Sequence, residues 1–333
     1  MMCIRMKRLG RKITALLKGL LLIILILIIL IIGKIFLTSI HTESNPIFTD
    51  GNLKIVMIDV GQGDSFLFLQ NDKAMLIDCG TQRNPFNSSK ALKEYNVRKL
   101  DYLIISHPHQ DHAAGIFDIL LNYHVDKLII PDMSTCEMSF DDMSFYLLFK
   151  SYLNVANFLY GDSLIEYAVP TSRRKIMEFS DSIIEFIAPI NSEYSKFNDY
   201  SLVMKISYGD IDTLMTGDIE LKAENDIVES GANIQSEIYK AAHHGSYTSN
   251  NKKFLDEVNP SYVLISSHNG AGNEFGHPGN KFMKYLSKRG LPVFRTDERG
   301  TIEIETDGKS VFFQDEDIGD YKTGSELIEE ESN

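Results

Sequence analysis

Cysteine is scarce. Cys3, Cys79 and Cys136 are the three in 333 residues, and no two of them stand at the spacing of a zinc ribbon or a disulfide framework. Stabilisation by sulfur chemistry is therefore excluded, and Cys79, at the end of an apolar run, reads as a buried free thiol. Basic residues are scarce where a nucleic-acid binder would need them. Seven of the 33 Lys and Arg precede residue 41, which leaves 26 against 46 Asp and Glu beyond it. An acidic surface repels a phosphate backbone and offers none of the counterion release that drives non-specific DNA binding, although a local basic strip would be compatible with it. The middle of the chain also lacks internal repeats and low-complexity blocks. With 44% hydrophobic residues, about 260 residues remain for one large α/β core.

The first forty residues differ in kind. Residues 1–18 are basic, with Arg5, Lys7, Arg8, Arg11, Lys12 and Lys18, and an apolar run from Gly19 to Leu37 follows, interrupted by Lys34. About twenty such residues suffice to cross a bilayer. The exit, Leu37-Thr38-Ser39-Ile40-His41, is a poor signal-peptidase site, so an uncleaved single-pass anchor is expected. The positive-inside rule puts the remainder of the chain on the extracytoplasmic side of the cell membrane. The expected organisation is a basic cytoplasmic segment 1–18, anchor 19–37, linker 38–51, a folded domain 52–313 and an acidic, disordered tail 314–333.

Within the domain, Ile55–Ile58, Ser65–Leu69 and Ala74–Asp78 read as a strand meander, and Tyr102–Ile105 as a buried strand. That strand runs into Ser106-His107-Pro108-His109-Gln110-Asp111-His112. Three imidazoles and a carboxylate leaving a buried strand are a metal-site pattern, because neutral imidazole and carboxylate are the ligands shared by zinc, manganese and iron. His107 and His109 face the same way on extended backbone, and Asp111 and His112 turn toward a second ion as the following helix, expected over Ala113–Tyr123, begins. Further on, a helix over Asp141–Leu153, a strand pair around Leu164 and Met177, and strands over Ile183–Ile187, Ser201–Ile206 and Thr213–Asp218 complete the alternation. Helices near 220–230, 250–258 and from Pro278 separate the strands at 237–242, 262–266, 292–295 and 301–305, the last two of which are expected to close the sheet.

The motif His107-x-His109-x-Asp111-His112, together with Asp59-Val60-Gly61-Gln62-Gly63-Asp64-Ser65, Thr216-Gly217-Asp218 and His243-His244-Gly245-Ser246, resembles the metallo-β-lactamase superfamily. Together these stretches look like the metallo-β-lactamase-like domain of bacterial competence ComEC proteins, over roughly residues 52–313. It implies an αββα sandwich of two mixed sheets holding two divalent ions, zinc or manganese. The ligands it implies are His107, His109, Asp111, His112, the bridging Asp218, and His244, with His243 the alternative. His244 is preferred because neighbours on a strand face opposite ways and it directly precedes Gly245. The resemblance also puts Asp78 beneath the metal loop, orienting its histidines. Relatives carry another histidine about twenty residues before the bridging carboxylate, where this chain has Asn198-Asp199-Tyr200-Ser201. Asp199 is the oxygen donor expected there, with Asn198 or water as alternatives. His277, in a His-Pro pair, resembles a substrate-facing imidazole that donates a proton or binds phosphate.

The function these residues imply is membrane-anchored, metal-dependent hydrolysis, with Asp111 and His277 at the reacting group and a hydroxide shared by two cations as nucleophile. The preference for a phosphodiester, in DNA or a cell-wall polymer, comes from the ComEC resemblance alone. The alternatives are hydrolysis of carbon esters, lactones or β-lactams, a teichoic-acid phosphodiesterase, and a non-catalytic component of a DNA-uptake apparatus. The last is disfavoured because this chain shows no pore of many membrane helices.

Overall fold

The strands carry apolar residues on alternating positions, and the computed structural model shows where each set goes. It describes residues 44–331 except 82–83, 85–86, 162–163, 169–174, 269–272, 274 and 316–317. The expected anchor lies outside the described residues, among which no helix is long and apolar enough to cross a membrane. The strands are β1 Leu53–Met57, β2 Phe66–Gln70, β3 Lys73–Ile77, β4 Lys99–Ile104, β5 His124–Pro131, β6 Ile165–Ala168, β7 Lys175–Phe179, β8 Ser182–Ala188, β9 Val203–Tyr208, β10 Ile211–Met215, β11 Ile238–Lys240, β12 Tyr262–Ile265, β13 Val293–Arg295, β14 Ile302–Thr306 and β15 Val311–Phe313. One sheet runs β15-β14-β1-β2-β3-β4-β5-β6, the other β13-β12-β11-β10-β9-β8-β7.

Three buried clusters define the layers. Leu53, Ile55 and Met57 of β1 and Phe66 and Phe68 of β2 meet Met204, Ile206, Met215 and Leu264 between the sheets. The opposite face of the first sheet, with Val56, Leu67, Leu76 and Leu103, is covered by helices α1 Asn87–Glu94, α3 Ile116–Asn122 and α4 Phe140–Tyr160. The outer face of the second, with Val203, Leu214, Tyr239 and Val263, is covered by α5 Leu221–Glu229, α6 Lys252–Val258 and α7 Asn280–Arg289. The period of two along each strand thus produces the expected αββα sandwich.

Several local expectations are corrected. The strands near Leu164 and Met177 do not pair with one another: β6 is the outer strand of one sheet and β7 of the other. The two strands expected to close a sheet together also separate, since β13 ends the second sheet while β14 returns to the first and pairs antiparallel with β1, Leu53 opposite Thr306. The helix after the metal loop is broken into α2 Gln110–Ala113 and α3. The described part of the tail is tied down rather than disordered. Tyr321 donates from its hydroxyl to Leu291 O at 3.0 Å, the fully buried Arg295 donates to Lys322 O at 2.6 Å, and helix α9, Gly324–Glu331, follows after α8, Thr296–Arg299. Its acidic composition hid these main-chain contacts, which need no particular side chain at Lys322.

Candidate metal centre

The site forms where the ends of β3 and β4 meet the ends of β10 and β11. Asp78, just past β3, accepts the Ser106 main-chain N–H at 2.7 Å and the Ser106 hydroxyl at 2.8 Å, and its Oδ2 lies 2.9 Å from His112 Nδ1. With that nitrogen engaged, His112 turns Nε2 inward, 3.2 Å from Asp218 Oδ2 and 3.9 Å from Asp111 Oδ2. His244 is arranged alike: Nδ1 sits 2.9 Å from Ser266 O, and Nε2 faces Asp111 Oδ2 at 3.4 Å and Asp218 Oδ2 at 3.5 Å. In both rings a hydrogen bond on Nδ1 fixes the tautomer that leaves Nε2 as a donor to an ion.

Close backbone approach makes this convergence possible. Gly63 lies against the metal loop so tightly that a Cβ there would meet Asp111 O at 2.3 Å, and Gly217, at φ +51°, would clash with Ser201 and Ser106. His243 and His244 occupy a turn with φ 51° and 55° rather than a strand, so the expectation that they face opposite ways fails. His244 is buried beside Asp111 and Asp218, while His243 approaches Asp218 Oδ2 at 3.8 Å from a partly open position. His107 and His109 form an adjoining pair, Nε2 to Nδ1 2.9 Å, with the His107 ring 4.3 Å from that of His112. His109 stacks on Phe197 at 4.4 Å and reaches Asp142 at 3.2 Å.

The donors fit a cation. One atom each from Asp111, His112, Asp218 and His244 lie within 4.8 Å of one another, and the buried His112 Nε2, His244 Nε2 and Asp218 Oδ1 have no hydrogen-bond partner. Buried polar atoms left unpaired cost on the order of 1–3 kcal/mol each unless something else satisfies them. The charge balance agrees. Burial alone would lower the pKa of His112, but Asp218, Asp78 and Asp111 raise it well above the ordinary imidazole value, and His244, also buried, is pushed up to about 9 by Asp218 and Asp64. The carboxylates thus demand positive charge at this point, which a divalent ion supplies while displacing the protons. His107 goes the other way, its pKa lowered by burial and then by His112 and His109, and stays neutral as a ligand must be.

Asp199 does not join the site. Its Oδ1 accepts the main-chain N–H groups of Glu220 at 2.9 Å and Ala223 at 3.4 Å, capping helix α5 from outside. The helix's unsatisfied N–H groups outcompete a metal for this carboxylate. Asn198 is the nearer neighbour, with Nδ2 3.5 Å from His243 Nδ1. His277 does lie at the site, its ring 5.3 Å from His243 and 6.5 Å from His244.

Two participants escape the motif reading. Lys240, fully buried at the end of β11, pairs with the buried Asp64, donates to Gly217 O at 2.9 Å and lies 3.6 Å from Asp218 Oδ1. Desolvation opposes its charge, but Asp64 and Asp218 keep it protonated. Asp64, Asp78 and His112 cluster closely enough to hold an ion of their own, and the Lys240 ammonium already supplies that positive charge. A lysine inside Ile238-Tyr239-Lys240-Ala241-Ala242 was the available signal.

Glu224 reaches the His243-His244 turn from α5 through Asn250, whose side chain accepts from the Ala242 main-chain N–H at 3.0 Å and donates to Ala242 O at 2.8 Å. Its carboxylate accepts the main-chain N–H of Asn250 and, at 3.0 and 2.6 Å, the main-chain N–H and the side chain of Asn251. Burial pushes its pKa up to about 7, against the opposing effect of those N–H donors. A carboxyl raised in the folded state stabilises the fold below its unfolded value and loses that contribution as pH rises through the folded value. Between pH 4.5 and 7 the wild type is therefore expected to lose about 3 kcal/mol through this group. Glu224→Gln should flatten that part of the stability profile, measured by urea unfolding across the range; an unchanged slope would refute the assignment.

The sequence profile of the Metallo-beta-lactamase superfamily matches residues 58–268. The chain belongs to this superfamily. It is 28% identical over 269 residues to ComE operon protein 3 of Bacillus subtilis (strain 168), covering 75% of this chain and 32% of that protein. Competence protein ComA of Neisseria gonorrhoeae is 27% identical over 252 residues, with the same coverages of 75% and 32%. The superfamily chain described here thus matches about a third of the length of these relatives. Among solved structures, CmlA, a diiron beta-hydroxylase from Streptomyces venezuelae, has 12% identity and a TM-score of 0.48, covering 74% of this chain and 53% of that one.

Proposed function

We propose that this superfamily member is a membrane-anchored, extracytoplasmic hydrolase of phosphodiesters that works with two divalent ions. The observation that carries the reading is the convergence of donor atoms from Asp111, His112, Asp218 and His244 within 4.8 Å, with the Nε2 atoms of both rings buried among carboxylates and without a hydrogen-bond partner. His107 and His109, whose Nε2 and Nδ1 lie 2.9 Å apart, with His109 Nε2 3.2 Å from Asp142, would exchange those contacts to serve as donors to the second ion. The ions would supply Lewis acidity and a nucleophile at neutral pH. Asp218 turns Oδ2 to His112, His243 and His244 and Oδ1 to Lys240, and would be the carboxylate ligand common to the ions. Asp111 is a third exposed, 32% by side chain, and would be the ligand open to a substrate. The burial of His277, followed by His244 and His243, pulls its pKa down to about 3. At neutral pH it is a neutral ring that orients the substrate by hydrogen bonding rather than an acid giving up a proton. The choice of phosphorus over carbon rests on the kinship with proteins named for competence. The membrane anchor rests on the basic start and the run from Gly19 to Leu37.

The full chain in detergent, loaded with zinc or manganese, is expected to hold close to two ions and to hydrolyse bis(p-nitrophenyl) phosphate in preference to the phosphomonoester, a p-nitrophenyl carboxylester and a chromogenic β-lactam. Carboxylester or β-lactam turnover without diester turnover would replace this reading with carbon-centred hydrolysis. Bound metal with no turnover of any of them would leave a binding module. Protease applied to intact protoplasts should remove the domain, and protection would reverse the topology.

A further inference from the structure

Two aromatic side chains stand open beside the candidate centre. Tyr247, three residues beyond His244, is 75% exposed, and Phe275, ahead of α7, is 68% exposed. Both meet the ring of His277. Phe275 lies nearly parallel to it, with centroids 5.8 Å apart and planes at 26°, and Tyr247 meets it edge-on at 6.5 Å and 65°. His277 is itself stacked toward His244, 6.5 Å away at 25°. A file of rings therefore leads from the carboxylates around His244 outward to Phe275. His277 is only 3% exposed, and its Nδ1 has no hydrogen-bond partner.

Single exposed aromatics are ordinary on protein surfaces. Two meeting one buried imidazole whose Nδ1 has no hydrogen-bond partner, beside the candidate metal centre, offer exposed ring faces to a flat ligand. Charge points to the same ligand class. With 26 basic against 46 acidic residues beyond residue 40, the overall charge works against holding a polyanion through counterion release. A contact indifferent to charge offsets that, and base-on-aromatic stacking contributes about 5- to 150-fold in affinity per base.

We propose that Tyr247 and Phe275 receive an unpaired nucleobase next to the phosphodiester at the centre, so that the site selects single-stranded nucleic acid over duplex and over diesters without a planar ring. This rests on the phosphodiester reading above. In a duplex the bases are stacked and paired inside and do not reach such a slot.

The test compares a fluorescein-labelled single strand, the same strand with abasic residues, and its duplex, using the metal-loaded full chain and following anisotropy and cleavage. The intact strand should bind best, with less than about tenfold loss between 50 and 200 mM salt, where phosphate-driven binding loses about 10³- to 10⁵-fold. Tyr247→Ala and Phe275→Ala should each weaken single-strand binding by about 5- to 150-fold and raise KM. Their effect should vanish on the abasic strand, and Tyr247→Trp should restore binding; a role only in folding would not depend on bases in the strand. Equal handling of intact and abasic strands, with turnover of both, would overturn the stacking slot and leave the phosphodiester reading standing. If no strand and no chromogenic diester is cut, the phosphodiester reading falls. Anisotropy then decides the slot: base-dependent binding lost in both variants supports it, and its absence overturns it.

Discussion

Asp218→Ala is expected to abolish both tight metal binding and hydrolysis. Its Oδ2 lies 3.2, 3.5 and 3.8 Å from nitrogens on His112, His244 and His243, so it touches three candidate ligands at once. Losing a residue that merely orients a ligand costs about 10- to 100-fold in metal affinity, and loss of a ligand itself should exceed that. Turnover of a chromogenic diester should fall by on the order of 10³-fold, as for removal of a main electrostatic contact to the reacting group. Asp199→Ala provides the contrast. As a cap on α5 it should cost about 0.5–2 kcal/mol in stability and keep its metal. Elemental analysis with thermal melts of the two variants distinguishes ligand from cap, and loss of metal in Asp199→Ala with retention in Asp218→Ala would overturn the site as drawn.

Lys240→Met should be the most destabilising single change near the centre. Lys240 and Asp64 are both buried, at 0 and 2% side-chain exposure, and removing one partner of such a pair leaves an uncompensated charge at a cost of about 3–5 kcal/mol. A domain of this size loses roughly 2–4 °C in Tm per kcal/mol, so a drop on the order of 10 °C is expected with metal chelated. Adding Asp64→Asn removes the stranded charge and should recover part of the loss, a coupling that a double-mutant cycle reads directly. A decrease below about 1 kcal/mol for Lys240→Met, or strict additivity in the double variant, would show that the pair is not the support proposed.

What the sequence disclosed followed from locality. His107, His109, Asp111 and His112 sit within six residues after a buried strand, and Asp218 directly follows a strand and a glycine, so their convergence needed only the strand ends to align. What it concealed depended on distant partners. Asp199 resembles a replacement ligand until α5 begins 22 residues later and presents unsatisfied N–H groups to it. The rule that strand neighbours alternate would have separated His243 from His244, but β11 ends at Lys240 and the left-handed turn places both near Asp218. The period of two identified β6, β7, β13 and β14 as strands, but which sheet receives each is decided by long-range pairing.

The return of β14 to β1 also sets a timetable. The register joins residues 53–57 to 302–306, so the first of the described strands to leave the ribosome is among the last to find a neighbour on that side. At about 5–20 residues per second, the open main chain of β1 waits on the order of ten to fifty seconds. During that interval its free N–H and C=O groups and the apolar Leu53, Ile55 and Met57 are open to the wrong partner. A chain stopped before residue 302 never leaves that state, so premature termination should yield an aggregating fragment rather than a smaller working domain.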